Sequence, residues 1–506
     1  MTTVARATLR HPVFVVVNLL QFWLVSVNGG ATMALPAVSS GLGATSTGLQ
    51  WFAALFGLGY SLVLVLSGRL GDLFGPRRLL LGGFALLVVG VTVCAIAPNV
   101  PVLLAGRLLQ GVAGGIVAPQ TAALIQLTFT GHRRSTAFAV FLAVSGGAFM
   151  VGQLMTGGLI TADVFGWGWR WAFIPFVVAG PISLLLAARV LPYVEPAGTG
   201  RPDLAGAGVL AVVSFLVMFP LIQGRNAGWP LWIVVMLLAA LPLFWTFLRL
   251  ERRIVSDGGD PLIDPSLFRI RTFALGNAIT LLFSLIAAAG PLYLILTIQL
   301  GFGRNALEAA LLTAPMPFAN IGGSLVAAPL LRRFGRGALT IGALCTAVSA
   351  VAVLIGVTGD ASNPLVITPG VALLGGGLGI SMAASMAIVL GDVPPQHAGS
   401  ASGVQGTGMQ LASSIGIAVY GLLFYGEVGS DGGLSDYLDG ARDAMMLTLV
   451  FVVLQLILIP LLPRHRFGPN DELPLVDPEL LVMPDLHDAP ASRPASGGVQ
   501  PGSSMP

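Results

Sequence analysis

Apolar stretches of about twenty residues recur along almost the whole chain, and that recurrence leaves few folds open. A helix rising 1.5 Å per residue needs roughly 20 residues to cross about 30 Å of hydrocarbon. Fourteen windows of that kind fall at residues 13–37, 48–68, 79–97, 101–127, 135–160, 171–192, 203–223, 229–249, 273–298, 306–331, 338–358, 364–391, 398–425 and 442–463. Strands of a membrane barrel would instead be about 9–11 residues long and alternate in polarity. Charge is scarce enough to agree: 9% of residues are charged, against about 25% in soluble domains. The pattern predicts an all-α integral membrane protein with 14 transmembrane helices.

Arginine placement sets the expected topology. The chain has no lysine, so all 25 basic residues are arginines. With the N-terminus inside, 20 of the 25 fall on cytoplasmic segments, Arg170, Arg225, Arg304 and Arg442 fall outside, and Arg107 lies within a span. Such a skew follows the positive-inside rule and places both termini in the cytoplasm. Arg6 and Arg10 precede the first apolar run, which is too long for a signal peptide's core of about 7–15 residues. The absence of lysine beside abundant Ala, Gly, Val and Arg suits a GC-rich bacterial genome, hence a bacterial cytoplasmic membrane.

Several function classes drop out. A net charge of +3, distributed by topology, gives no reason for a nucleic-acid partner. Cys94 and Cys345 have no neighbouring His or Cys at metal-ligand spacing. No phosphate-cradling loop is present, nor a lysine to serve one, which speaks against ATP hydrolysis. The spans hold no paired carboxylates and no nucleophile–base set, so neither an enzyme nor a cofactor is expected. The expected partners are the lipid bilayer and a small-molecule substrate, with no obligate protein partner evident.

Polar loops divide the chain. Residues 193–202 and 250–272 bracket the spans at 203–223 and 229–249. The expected organisation is a cytoplasmic N-terminus (1–12), six spans (13–192), a linker carrying two extra helices (193–272) and six further spans (273–463). Residues 464–506, rich in Pro, Ser, Gly and Asp, read as a disordered cytoplasmic tail. Within the two six-span blocks, Leu70/Leu330, Phe74/Phe334 and Gly75/Gly335 recur at a constant offset, although Asp72 becomes Arg332. Paired bundles of this sort mark secondary transporters that rock around a midplane site.

Arg107 is the residue most suggestive of such a site. An arginine at bilayer depth costs about 2.5–3.5 kcal/mol even by lower estimates and is tolerated facing protein or a cavity. On a helical wheel Gln110, Gly111, Gly114 and Ala118 fall within about 60° of it, a polar or small-residue face. The alternative is an arginine clamped to a backbone carbonyl for packing alone. In the first span Asn18, Gln21, Asn28 and Thr32 share an arc of about 80°, suited to a cavity wall or to interhelical hydrogen bonds. Gly146, Gly147, Gly152, Gly157 and Gly158 let another helix approach the fifth span, and Gln153 is a candidate cavity group. In the thirteenth span Ser402, Gly406, Met409 and Ser413 share a face flanked by Gln405 and Gln410. In the twelfth, Gly375, Gly376 and Gly377 precede Ser381, Met382, Ser385 and Met386. Core packing explains these last two groups equally well.

Six stretches together resemble the major facilitator superfamily, and within it the fourteen-span drug:proton antiporters. Gly68 to Arg78 is similar to the family's loop between spans two and three, and Arg107-Leu-Leu-Gln110-Gly111 to its fourth-span motif. Gly152-Gln153-Leu-Met-Thr-Gly157-Gly158 stands where the antiporter motif belongs, and Trp169-Arg170-Trp171-Ala-Phe173 resembles the opening of the sixth span. Leu307-Glu308-Ala309-Ala310, with Val393 through Gly403, matches patterns of the second half. The resemblance runs from about residue 13 to about 463. It implies two six-helix bundles with two extra helices between them, and export of amphipathic drugs or natural products by proton antiport with alternating access. It further implies a cytoplasmic latch from Asp72, Arg77 and the turn at Gly75, with Asp72 facing the N-terminus of span thirteen at Pro394-Pro395.

Candidate substrate or coupling residues are Arg107, Gln110, Asn28, Gln21, Gln153, Gln405 and Met409. Two departures from the family pattern matter. Gln153 replaces the proline of the antiporter motif, and Val27 occupies the position where the family places a first-span aspartate. The remaining acids near membrane ends, Asp163 and Glu308, are the candidate proton carriers. Val27 keeps open an uncoupled uniporter or a nutrient symporter. A membrane protein that senses a ligand without moving it is the third reading.

Overall fold

A computed structural model describes residues 10–130, 132–196, 203–256, 263, 265–358, 364–394, 398–428 and 432–463. Among them it contains 14 helices long and apolar enough to cross a membrane, and no strand. The expected tail at 464–506 and most of the N-terminal segment lie outside the described residues.

The helices follow the apolar windows, and where they depart the local chemistry explains it. The first span, Pro12–Met33, breaks at Ala34 and resumes as Leu35–Leu42, because Pro36 cannot donate to the helix ladder. The tenth is likewise two pieces, Ala306–Thr313 and Pro315–Phe334, parted at Ala314 just ahead of Pro315. The ninth, Arg271–Leu296, runs on into a π-helical turn, Thr297–Gly301. The fourteenth starts at Leu434, before the window at 442, since Asp436 accepts the Gly433 N–H (2.9 Å) and supports a polar first turn. Pro394 precedes the thirteenth helix, Ala398–Val428, rather than opening its first turn.

Glycines set how the spans pack. On the fourth span, Val100–Thr128, a Cβ at Gly111 would lie 2.2 Å from the Phe56 carbonyl oxygen, and one at Gly115 2.4 Å from that of Tyr60. Only glycine admits the second span, Ser46–Phe74, this closely. The second half repeats the crossing. A Cβ at Gly375 or Gly379 on the twelfth span, Thr368–Gly391, would lie 2.1 Å from the Met316 carbonyl oxygen or 2.0 Å from that of Asn320, both of the tenth. Phe56/Met316 and Tyr60/Asn320 stand at the same offset as the loop pair Gly75/Gly335. Those two glycines close equivalent turns with φ of 85° and 53°, their N–H groups returning to Gly71 O (2.9 Å) and Leu331 O (2.8 Å). The sequence repeat is thus a repeat of packing.

Besides the packing of span two along span thirteen, contacts joining the first six spans to the last six cluster at the arginine-poor face. There Gln299 donates to the Met33 carbonyl (3.3 Å), and Thr161 accepts the Leu307 N–H (3.2 Å). Gly157 on the fifth span, His132–Ala162, lies against the Ala306 carbonyl. The two extra helices, Leu204–Gln223 and Leu231–Ser256, pair with each other, and the former packs against both the second and the thirteenth spans. Leu210 and Phe247 from this pair join Phe273, Val389 and Val404 in a small apolar core of their own.

Candidate functional site

A cavity of about 330 Å³ lies between the two sets of six spans. Asn28, Thr32, Phe52, Phe56, Arg107, Phe149 and Gln153 line it from the first set. Pro291, Thr313, Met316, Asn320, Gln410, Ser413 and Ser414 line it from the second. Among the described residues Arg107 is the one charged group on its wall.

Arg107 is held there by its neighbours and is only 2% exposed. The Gly111 crossing draws the second span near enough for Arg107 Nε to donate to the Phe52 carbonyl at 3.1 Å. Nη1 donates to Gln110 Oε1 at 2.9 Å, one helical turn along, and Nη2 to Asn28 Oδ1 on the first span at 3.0 Å. Gln110 is oriented in turn by donating to the Gly90 carbonyl (3.4 Å) and Cys94 Sγ (3.2 Å). The guanidinium carbon sits 4.8 Å from the Phe52 ring centroid and 5.0 Å from that of Phe56. Aromatic faces attract a cation, by about 2 kcal/mol when it is desolvated. Each of these partners is neutral.

Three of the residues expected at the site, Arg107, Asn28 and Gln153, line the cavity together, and Gln110 stands directly behind the arginine. Gln153 donates to Thr32 at 3.5 Å. Gln21 points elsewhere, to Ser145 of the fifth span (3.1 Å). Gln405 and Met409 are absent from the wall, and Gln410, Ser413 and Ser414 take the thirteenth span's place in it. The small residues and methionines of the twelfth span are absent too; Met382 and Met386 are exposed, while Ser381 and Ser385 are buried.

Phe52, Phe56, Met316 and Asn320 were not singled out from the sequence. Apolar spans carry many such residues, and only the register of the glycine crossings picks these out.

The expected latch sets Asp72 against the start of span thirteen, where residues 395–397 lie outside the described residues. Asp72 is exposed, and Arg77 Nη2 donates to the Ala188 carbonyl at 2.6 Å, at the end of the sixth span, Ile174–Val190. Gly75 does supply the tight reversal between spans two and three. The two candidate proton carriers both hold local backbone. Asp163, itself at φ 40°, accepts the Gly168 N–H (2.7 Å) in the loop after span five. Glu308 forms a capping box with Asn305 at the start of span ten. Neither reaches the cavity.

Comparison with known proteins agrees with this architecture. The family model described as Major Facilitator Superfamily matches residues 16–417. The probable actinorhodin transporter of Streptomyces coelicolor is 34% identical over 402 residues, covering 79% of this chain and 69% of that protein. The puromycin resistance protein of Streptomyces alboniger is 31% identical, with 88% and 89% covered. The cephamycin export protein of Amycolatopsis lactamdurans is 31% identical, with 85% and 88% covered. Among solved structures, the Escherichia coli xylose transporter in a partially occluded, inward-open conformation superposes with a TM-score of 0.60 at 14% identity, covering 90% of this chain and 98% of that one. That likeness speaks to the fold alone.

Proposed function

The chain belongs to the Major Facilitator Superfamily and is a multi-pass membrane transport protein for small molecules rather than an enzyme, and from that premise we propose that it exports amphipathic or lipophilic natural products from a bacterial cell. In this reading the arginine-rich face is cytoplasmic, with both termini inside. Residues 13–192 and 273–463 move as two bundles, and 193–272 rides at their side. The carrying observation is the cavity between the bundles, apolar on most of its wall, with the Arg107 cluster at one place in it. Relatives whose names state drug export or resistance support the direction of transport.

The fuller form of the proposal couples export to proton entry, with Arg107, Asn28, Gln110 and Gln153 contacting substrate and Asp72, Arg77 and Gly75 gating the cytoplasmic side. One observation favours a second reading, transport without proton exchange: no Asp or Glu lines the cavity among the described residues.

Uptake of a fluorescent drug into inside-out vesicles, with a pH gradient imposed and then collapsed, separates the two. Uptake that stops on collapse supports antiport; uptake that continues supports the second reading. Saturable binding by the purified protein without any flux would overturn export itself.

A further inference from the structure

Arg107 carries a full charge into a wall that provides no opposite one. A guanidinium keeps its charge in proteins, and its three hydrogen-bond partners are a backbone carbonyl and two amide side chains. A guanidinium has five N–H donors. Nε has one and it is used, while each terminal nitrogen makes one bond and so retains one further donor. Two donors are thus left on a side chain that is 98% buried and belongs to a residue lining the cavity.

The internal repeat indicates that the helix crossing does not require this charge. Gly111 and Gly375 occupy equivalent positions at the two crossings, so Arg107, four residues before Gly111, corresponds to Val371. Gln110 corresponds to Leu374. Asn18 and Asn277 each donate to the carbonyl four residues earlier, Phe14 and Phe273, which aligns the first and ninth spans and sets Asn28 opposite Ala287. The second half makes the same glycine-to-carbonyl approach with Val371, Leu374 and Ala287 where the first has Arg, Gln and Asn. Packing alone therefore leaves the cluster unexplained, and Asn28 and Ala287 both face the cavity.

Building on the export reading of the same cavity, we infer that its ligand is a small, largely apolar organic anion whose oxyanion is the counter-ion of Arg107. One donor on each terminal nitrogen suits the two oxygens of a carboxylate, the geometry in which arginine binds most strongly. Phe52, Phe56, Phe149 and Met316 would enclose the apolar body. Asn320 and Gln410, whose side chains make no hydrogen bond among the described residues, would meet its remaining polar groups.

Three anthracene probes of one shape but different charge test this on the full-length protein in lipid nanodiscs. They are 9-anthracenecarboxylate, 9-anthracenecarboxamide and protonated 9-(aminomethyl)anthracene. The carboxylate is expected to bind at least about tenfold more tightly than the amide, with the ammonium weakest. Arg107→Gln should erase the advantage of the carboxylate while leaving amide binding in place. Arg107→Lys keeps the cation but not the fork and should retain part of the advantage, which also covers a failure of the Gln variant to fold. Equal or tighter binding of the amide or the ammonium, survival of the preference in folded Arg107→Gln, or no binding of any probe would overturn the inference. Flux of the same probes in proteoliposomes separates it from the export reading. A preferred carboxylate that is bound but never moved leaves the anion site and removes export; movement of all three alike leaves export and removes the anion site.

Discussion

Closure of the arginine-poor face depends on a glycine, and that dependence can be measured. A Cβ on Gly157 would lie 2.7 Å from the Ala306 carbonyl oxygen and 3.0 Å from its carbon. Carbon–oxygen contacts settle at about 3.3–3.6 Å, so spans five and ten would have to part by roughly 0.6–0.9 Å. Overpacking of this kind costs about 1–3 kcal/mol. The contact joins the two halves, so the penalty falls only on conformers closed at this face. A bias of that size shifts the closed-to-open ratio by about 5- to 150-fold. Gly152→Ala is the control: its Cβ would lie 2.0 Å from the Ser26 carbonyl, within the first half, and burdens every conformer alike. Spin labels at exposed Ser40 and Arg304, with Cys94 and Cys345 first changed to Ala, read the distance across the mouth. Gly157→Ala should populate a second, longer distance. Gly152→Ala should lower the thermal midpoint and leave the distribution as it was. A folded Gly157→Ala with an unchanged distribution, or equal shifts in both variants, would refute the reasoning.

Two further outcomes follow from the same geometry. Gln299→Leu removes the hydrogen bond to the Met33 carbonyl, a net loss of about 0.5–1.5 kcal/mol, and should shift the same label distance in the same direction by a smaller amount. Asp163→Asn and Glu308→Gln each keep the oxygen that accepts a backbone N–H, so both should fold and transport as the parent does. Loss of pH-driven flux in either variant, with folding intact, would show that carboxylate to be a proton carrier.

The span count was legible because hydrocarbon thickness imposes a length on every helix, and apolar runs of that length are hard to mistake. Arg107, Asn28 and Gln153 were legible for a related reason: polar groups are rare at such depth, and each must face protein or a cavity. What the sequence left open was helix rotation. On the helical wheel Gln405 lies about 40° from Met409 and about 140° from Gln410, and whether Gln410 or Gln405 meets the cavity is decided by where the ninth span presses on Gly416, whose Cβ, if it had one, would lie 2.4 Å from the Leu285 carbonyl oxygen. Gln21 shares an arc with Asn28, yet the fifth span comes close enough there for Ser145 to take its amide. Asp72's expected contact with the start of span thirteen falls partly on residues 395–397, outside the described residues, while Arg77 lies against the end of span six and finds a carbonyl at Ala188, a tertiary contact that loop spacing does not encode.

Val27 gives the cluster its electrostatic character. It is fully buried beside Asn28, at the position where the family places an aspartate. A carboxylate there would be close to Arg107's own partner; valine offers no such compensation. If the ligand supplies the missing negative charge, its export moves that charge outward across a membrane that is negative inside. One elementary charge across 100 mV is worth about 2.3 kcal/mol, which sustains an outward gradient of roughly 50-fold at about 1.4 kcal/mol per tenfold. Export of an anion can therefore run on membrane potential without a proton carrier, consistent with a cavity wall on which no Asp or Glu stands among the described residues. In proteoliposomes loaded with 9-anthracenecarboxylate, a valinomycin-set potassium potential, negative inside, should accelerate efflux, and a pH gradient at zero potential should not. The neutral amide should be indifferent to both. Efflux of the carboxylate that follows the pH gradient and ignores the potential would refute this account and return the search to a proton carrier outside the cavity.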